Sequence, residues 1–137
     1  MADRYTNSFS DNVRFFKSKL LAHSNLTNAE TEYNIVRIPR YALITNVHIL
    51  VTTAFNGTTP TMTVGWNTNG TENVDGFLTN VEAAIDSAGY KVPLAGTNVN
   101  AGGFYFKDAS GAITVTIDPD TSTAGAMWVF GCYTVIM

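Results

Sequence analysis

The chain has 137 residues, of which 45% are hydrophobic, 12% aromatic and only 14% charged, with a formal net charge of −3. That is one domain in size, long enough to bury a core and too apolar to be disordered. The acidic balance and the lack of a basic stripe exclude a polyanion binder, so no nucleic-acid partner is expected, and a lone cysteine, Cys132, excludes an internal disulfide or a thiolate metal cluster.

Residues 1–12 are polar and aperiodic and are expected to form a flexible N-terminal arm ahead of a β-sandwich domain over 13–137. Val13 to His23 fits either a helix face (Val13, Phe16, Leu20) or one side of a strand (Val13, Phe15, Leu21), with strand preferred. Glu32 to Ile38 reads as a short strand ended by Pro39, which cannot donate to a ladder. Tyr41 to Ala54 alternates most clearly, with Leu43, Thr45, Val47, Ile49 and Val51 on one side. Ala42, Asn46, His48 and Thr52 fall on the other. Asn56-Gly57 signals a hairpin with a loop longer than two residues, returning through Thr61 to Trp66 with Met62, Val64 and Trp66 on one face.

Asn67 to Gly76 reads as a polar loop. Thr79-Asn-Val-Glu82 carries a capping-box pattern, and Val81, Ala84 and Ile85 give a brief apolar stripe, so one short helix is predicted. Pro93 to Gly103 is a Gly- and Asn-rich loop before Phe104-Tyr105-Phe106. Ala112 to Ile117 alternates again, Asp118 to Gly125 turns the chain, and the run from Ala126 to Met137 is apolar on both faces, as a central strand would be. Cys132 within it is expected to be a small buried hydrophobe. Strands at intervals of about ten residues with at most one short helix indicate an all-β protein, a single antiparallel sandwich.

Charge is unevenly placed: Arg4, Arg14, Lys17, Lys19, Arg37 and Arg40 lie in the first forty residues, leaving Lys91 and Lys107 for the rest. The asymmetry fits docking of one end on an acidic neighbour, or chance. No apolar run approaches the roughly 20 residues that span a bilayer and no signal-peptide pattern is present, so a soluble protein without a membrane partner, made in a cytoplasm, is expected. The sequons at Asn25, Asn56 and Asn69 are then unused.

Ile38-Pro39, Ala42 to Val47, Thr53-Ala-Phe-Asn-Gly57, Thr63-Val-Gly65, Ile113 to Ile117 and Met127 to Val135, in that order, resemble small virion proteins of tailed bacteriophages. The resemblance runs from about Tyr33 to the end. It implies a jelly-roll-like protein of the virion, made in the bacterial host cytoplasm, most simply a head decoration (cement) protein. Its partners would be the major capsid protein and copies of itself, with a trimer favoured by family analogy. It supplies no catalytic residues and no cofactor. A tail or neck component belongs to the same class, and a glycan-binding attachment module using Trp66 and Tyr90 is the rival from another.

Catalytic and metal constellations are weak. His23 and His48 are the two histidines, no nucleophile elbow exists, and His48 is expected on a surface or interface. Asp75, Glu82, Asp118 and Asp120 have no spacing that suggests paired-carboxylate chemistry. Asp118 to Ser122 lacks the glycine and distant glutamate of a calcium loop, and Gly102-Gly103 opens no helix. No enzyme activity and no metal site are therefore expected. The aromatics carry more weight. Phe104, Tyr105 and Phe106, like Trp128, Phe130 and Tyr133, must point to both faces of any strand, so they are either buried on two sides or part of a subunit interface. The expected interface comprises Arg4, Arg14, Phe15, Phe16, Lys17, Lys19, Phe104, Tyr105, Phe106 and Trp128.

Overall fold

The computed structural model describes residues 13–68, 71–93 and 103–136. The arm expected over 1–12 and most of the loop expected over 93–103 lie outside these described residues. In chain order the strands are β1 (Val13–Lys17), β2 (Leu21–Ala22), β3 (Thr31–Ile38), β4 (Ala42–Thr53), β5 (Thr61–Thr68) and β6 (Thr71–Leu78). After a four-residue helix, α1 (Asn80–Ala83), come β7 (Gly89–Lys91), β8 (Phe104–Tyr105), β9 (Gly111–Asp118) and β10 (Ala126–Val135). Val13–Lys17 is thus strand, which settles the ambiguity of that segment.

Two sheets form. One has the order β1-β10-β4-β7, with β2 also on β10 and β8 also on β4; the other has the order β3-β9-β5-β6. Every pair is antiparallel. The pairs nest: β5 with β6, β4 with β7, β3 with β9, β1 with β10. One long antiparallel ribbon is therefore wound up so that its successive layers fall into opposite sheets, which is the jelly-roll topology.

That winding overturns one reading of the sequence. β4 and β5 lie in different sheets, so Asn56-Gly57 is not a hairpin turn but a crossing between layers. Asn56 is used as a clasp instead. Its Oδ1 accepts from the Thr123 and Ala124 amides at 2.8 and 3.1 Å, and its Nδ2 donates to Thr123 Oγ1 at 3.0 Å. Gly57 is held so close to the Asp120 carbonyl that an added Cβ would stand 2.1 Å from that oxygen. The polar loop expected over Asn67 to Gly76 is also corrected. β5 continues to Thr68 and β6 begins at Thr71, with Thr68 paired to Thr71.

In β4 the alternation changes phase. Cys132 of β10 pairs with Asn46 and Tyr133 with Ile44, leaving Thr45 as the extra residue of a bulge. Ala42 and Ile44 point inward before it and Val47, Ile49 and Val51 after it, all buried. Leu43 is therefore outward and Ala42 inward, the reverse of a strict period-two count, because one extra residue rotates the strand by one side chain. Cys132 is at this bulge, half-buried and not in the core, with Sγ 3.3 Å from Thr45 Oγ1 and 3.2 Å from Asn46 Nδ2.

Inward residues of both sheets make one core, including Ile49, Phe55, Met62, Val64, Ile113, Val115 and Met127. Met62, Val64 and Trp66 do share the inner face of β5, with Trp66 stacked on Phe104 at 3.9 Å between ring centroids. β10 is central in its sheet, as its two-sided apolarity requires. The capping box at α1 forms: Glu82 Oε1 accepts from the Thr79 amide at 3.0 Å, while Thr79 Oγ1 accepts from the Glu82 amide at 3.5 Å. The apolar stripe expected there does not. Val81 is 83% exposed while Ala83 and Ile85 are buried, because α1 is a single turn and cannot sustain a helical face.

Candidate interaction surface

The outward side of the six-stranded sheet is built by strand alternation. Met127 and Val129 are buried in the core, so Trp128 and Phe130 between and beyond them face out. Cross-strand register then sets three rows: Phe15, Cys132 and Asn46; Lys17, Phe130 and His48; Trp128, Leu50 and Tyr90. Beyond the bulge, Leu43 pairs with Tyr105 and extends the same face.

The centre of this face is an aromatic cluster. His48 meets Tyr90 edge-on at 5.3 Å and Phe130 edge-on at 5.9 Å, while Tyr90 and Phe130 stack at 6.1 Å. The Tyr90 hydroxyl is 2.5 Å from His48 Nδ1. Burial among these rings holds the His48 pKa below its ordinary imidazole value, which favours a neutral ring able to accept the tyrosine proton at Nδ1. At the β1 border Lys17 Nζ stands 4.7 Å above the Trp128 ring, a cation–π contact worth about 0.5–1 kcal/mol where exposed. Phe15 is 84% exposed and Tyr90 56%. An apolar face of this kind, edged by lysines, has the chemistry of an association surface and not of a reactive centre.

The structure divides the residues expected at an interface. Arg14, Phe15, Lys17 and Lys19 are exposed on or just after β1, Trp128 is half-buried beside them, and Tyr105 lies farther along the same face. Phe16 and Phe106 are corrections: both are buried and belong to the core. Phe16 fits inward because the residue opposite it is Gly131, where an added Cβ would come within 2.8 Å of the Phe16 ring. Phe104 is half-buried against Trp66, and Arg4 lies outside the described residues. Trp66, considered for sugar stacking, is itself 8% exposed and so offers no platform.

Sequence reading expected His48 on a surface or interface and Phe130 either buried or at an interface, but did not join them with Leu50 and Tyr90 in one surface. Trp128 and Phe130 could have been assigned by counting from Val129. Tyr90 could not, since it joins through the pairing of β7 with β4, some forty positions away.

Three of the four carboxylates weighed for chemistry have structural partners. Asp118 Oδ1 accepts from the Asp120 amide at 2.9 Å, Asp120 Oδ2 accepts from the Thr59 amide and hydroxyl, and Glu82 caps α1. No helix among the described residues is long and apolar enough to cross a membrane.

No family model matches the chain, and no curated protein does. Two solved structures do. A chain from the capsid asymmetric unit of cyanophage Pam1 superposes with a TM-score of 0.60 and 14% identity, covering 91% of this chain and 86% of that one. A chain from the acid-stable capsid structure of Helicobacter pylori bacteriophage KHP30 gives 0.55 and 13%, covering 88% and 86%. The protein therefore shares, over nearly its whole length, the sandwich fold of chains found in two phage capsids.

Proposed function

We propose that this protein is a non-enzymatic structural component of a bacteriophage virion, a head decoration (cement) protein that binds and stabilises the capsid shell. The observation that carries the reading is the outward aromatic face of the six-stranded sheet. Its opposite side already lines the core, yet among the described residues Leu50 and Tyr90 remain exposed and Trp128 and Phe130 are only half-buried. The fold likeness to chains of two phage capsids supports the choice of partner, and so does the resemblance of the strand and turn motifs to tailed-phage virion proteins.

In this mechanism the face is laid against the major capsid protein, apolar area leaves water, and Lys17 and Lys19 at the border meet carboxylates on the shell. Burial stabilises by about 25 cal/mol per Å², so a modest gain per copy is multiplied over a shell. Neighbouring copies associate as a trimer, and this adds avidity without new shell contacts.

The test is electron microscopy of purified particles together with binding to undecorated shells. Hundreds of copies on the shell, and loss of binding in a Tyr90→Ala/Phe130→Ala double variant that still folds, are expected. A handful of copies at one vertex would move the protein to the neck or tail. Unchanged binding by the folded variant would remove this face from the mechanism.

A further inference from the structure

The outward face of the four-stranded sheet is polar, and its polar groups converge. Glu32 and Asn34 stand on β3, one edge of the sheet; Glu72 stands on β6, the other edge. Between them Asn67 of β5 is directly opposite Glu72. Its Nδ2 reaches across β9 to Asn34 Oδ1 at 3.0 Å and to Glu32 Oε1 at 3.4 Å. A carboxylate from each edge strand and two amides thus form an arch over the middle of the sheet.

Thr114 of β9 lies under that arch. Ile113 and Val115 are fully buried in the core, so alternation sends Thr114 to the outward face. There its register neighbours are Asn34 on one side and Gly65 on the other. An outward threonine on a sheet is ordinarily wet. Thr114 is 1% exposed, and its Oγ1 has no hydrogen-bond partner among the described residues. Gly65 adds no side chain, and the β6 backbone closes over that position: a Cβ there would be 1.8 Å from the Asn73 carbonyl oxygen. Thr116, paired with Glu32, has a second buried and unpartnered hydroxyl.

Two carboxylates held in one arch repel unless a proton or a cation lies between them. Desolvation first, and then contact with Glu72, push the Glu32 pKa above its ordinary value. Asn67 presents its oxygen only by turning its amide over and giving up its hydrogen bonds to Asn34 and Glu32, contacts that a cation held by the same oxygens would replace. No group of three or more His, Cys, Asp or Glu that could hold a metal ion occurs among the described residues, so a site here would rest on two carboxylates supplemented by neutral oxygens. Two carboxylates, two amide oxygens and a hydroxyl suit a hard cation that accepts six to eight oxygens in flexible geometry. Arg37, farther along β3, lines the same groove as Asn34 and Asn67.

We propose that Glu32, Asn34, Asn67, Glu72 and Thr114 form a binding site for a divalent cation of the calcium type, which ties β3 to β6 across the face of the four-stranded sheet. The site is independent of the aromatic face and of the virion reading. Thermal unfolding of the full chain tests it, in chelator-treated buffer titrated with calcium chloride, with sodium chloride at matched ionic strength as control. The midpoint is expected to rise saturably, on the order of 5–10 °C at a hundredfold excess over Kd. The rise should vanish in Glu32→Gln and Glu72→Gln, variants that keep shape and hydrogen bonding. No rise in the unsubstituted protein overturns the proposal. A rise that persists in both variants, or that sodium reproduces, overturns it too, because it reports screening and not this site.

Discussion

The two outward faces of this sandwich share one core and differ in almost everything else. Over the six-stranded sheet lie rings: Trp128, Phe130, His48 and Tyr90, with Lys17 at the margin. Over the four-stranded sheet lie hydroxyls, amides and carboxylates: Thr63, Thr114, Thr116, Asn34, Asn67, Glu32 and Glu72. Inward residues are alike on both sides, since Ile49 and Val115 answer to the same packing demand. What distinguishes the sheets is therefore carried by the alternate positions that stability does not need. One face is suited to an apolar partner, the other to water or a cation.

The shared core sets the largest expected effect. Ile49 lies fully buried between the outward His48 and Leu50, and Ile49→Ala should cost about 2–5 kcal/mol in urea unfolding. A loss well below 1 kcal/mol would mean the faces do not rest on a common core. Next comes Phe130→Asp, which sharpens the comparison directly. Stability should fall by about 1–3 kcal/mol, because two ring contacts are lost on a central strand, while affinity of the still-folded variant for undecorated shells falls at least tenfold. Asn34→Ala, on the other face, should leave that affinity unchanged. If both variants weaken shell binding equally, the assignment of the partner to the aromatic face is wrong.

A pH series separates the faces more finely. Because the folded-state pKa of His48 is below its unfolded value near 6.5, the unfolded chain binds the proton more readily. Stability from this group is full above 6.5 and is lost as pH falls through the folded value. The midpoint difference between pH 7.5 and 5.5 should shrink in His48→Gln; an unchanged difference would show that the ring cluster exerts no such control. The smallest effect is expected from Glu72→Gln in chelator. With an exposed group and no cation, stability should stay within about 0.5 kcal/mol.

Much of this architecture can be read from the chain. The strands β4 and β9 follow from alternation, β3 from the short stretch that Pro39 ends, and α1 from Thr79 and Glu82. The central place of β10 follows from its apolarity on both sides. The errors have physical causes. One extra residue at Thr45 reverses the sides of Ala42 and Leu43, and periodicity cannot register an insertion that only the partner strand reveals. The Asn-Gly signal at 56–57 is a local preference overridden by the winding of the ribbon. The aromatic face was half legible, through Phe15, Lys17 and Trp128. Its centre joins His48 of β4, Tyr90 of β7 and Phe130 of β10, and only tertiary pairing brings these together. The arch over Thr114 was not legible at all, since Glu32 and Glu72 come from opposite edges of a sheet.

The nested ribbon has a consequence for how the molecule is made. Val13 pairs with Thr134, so the outermost layer closes over a sequence separation of nearly the whole chain, and closing such loops slows folding. β10 lies between β1 and β4 and carries Trp128 and Phe130. During synthesis the inner layers β5·β6 and β4·β7 are available long before β10 leaves the ribosome. The outward face of the six-stranded sheet is thus completed only after β10 is made, and until then the face proposed to meet a partner lacks Trp128 and Phe130.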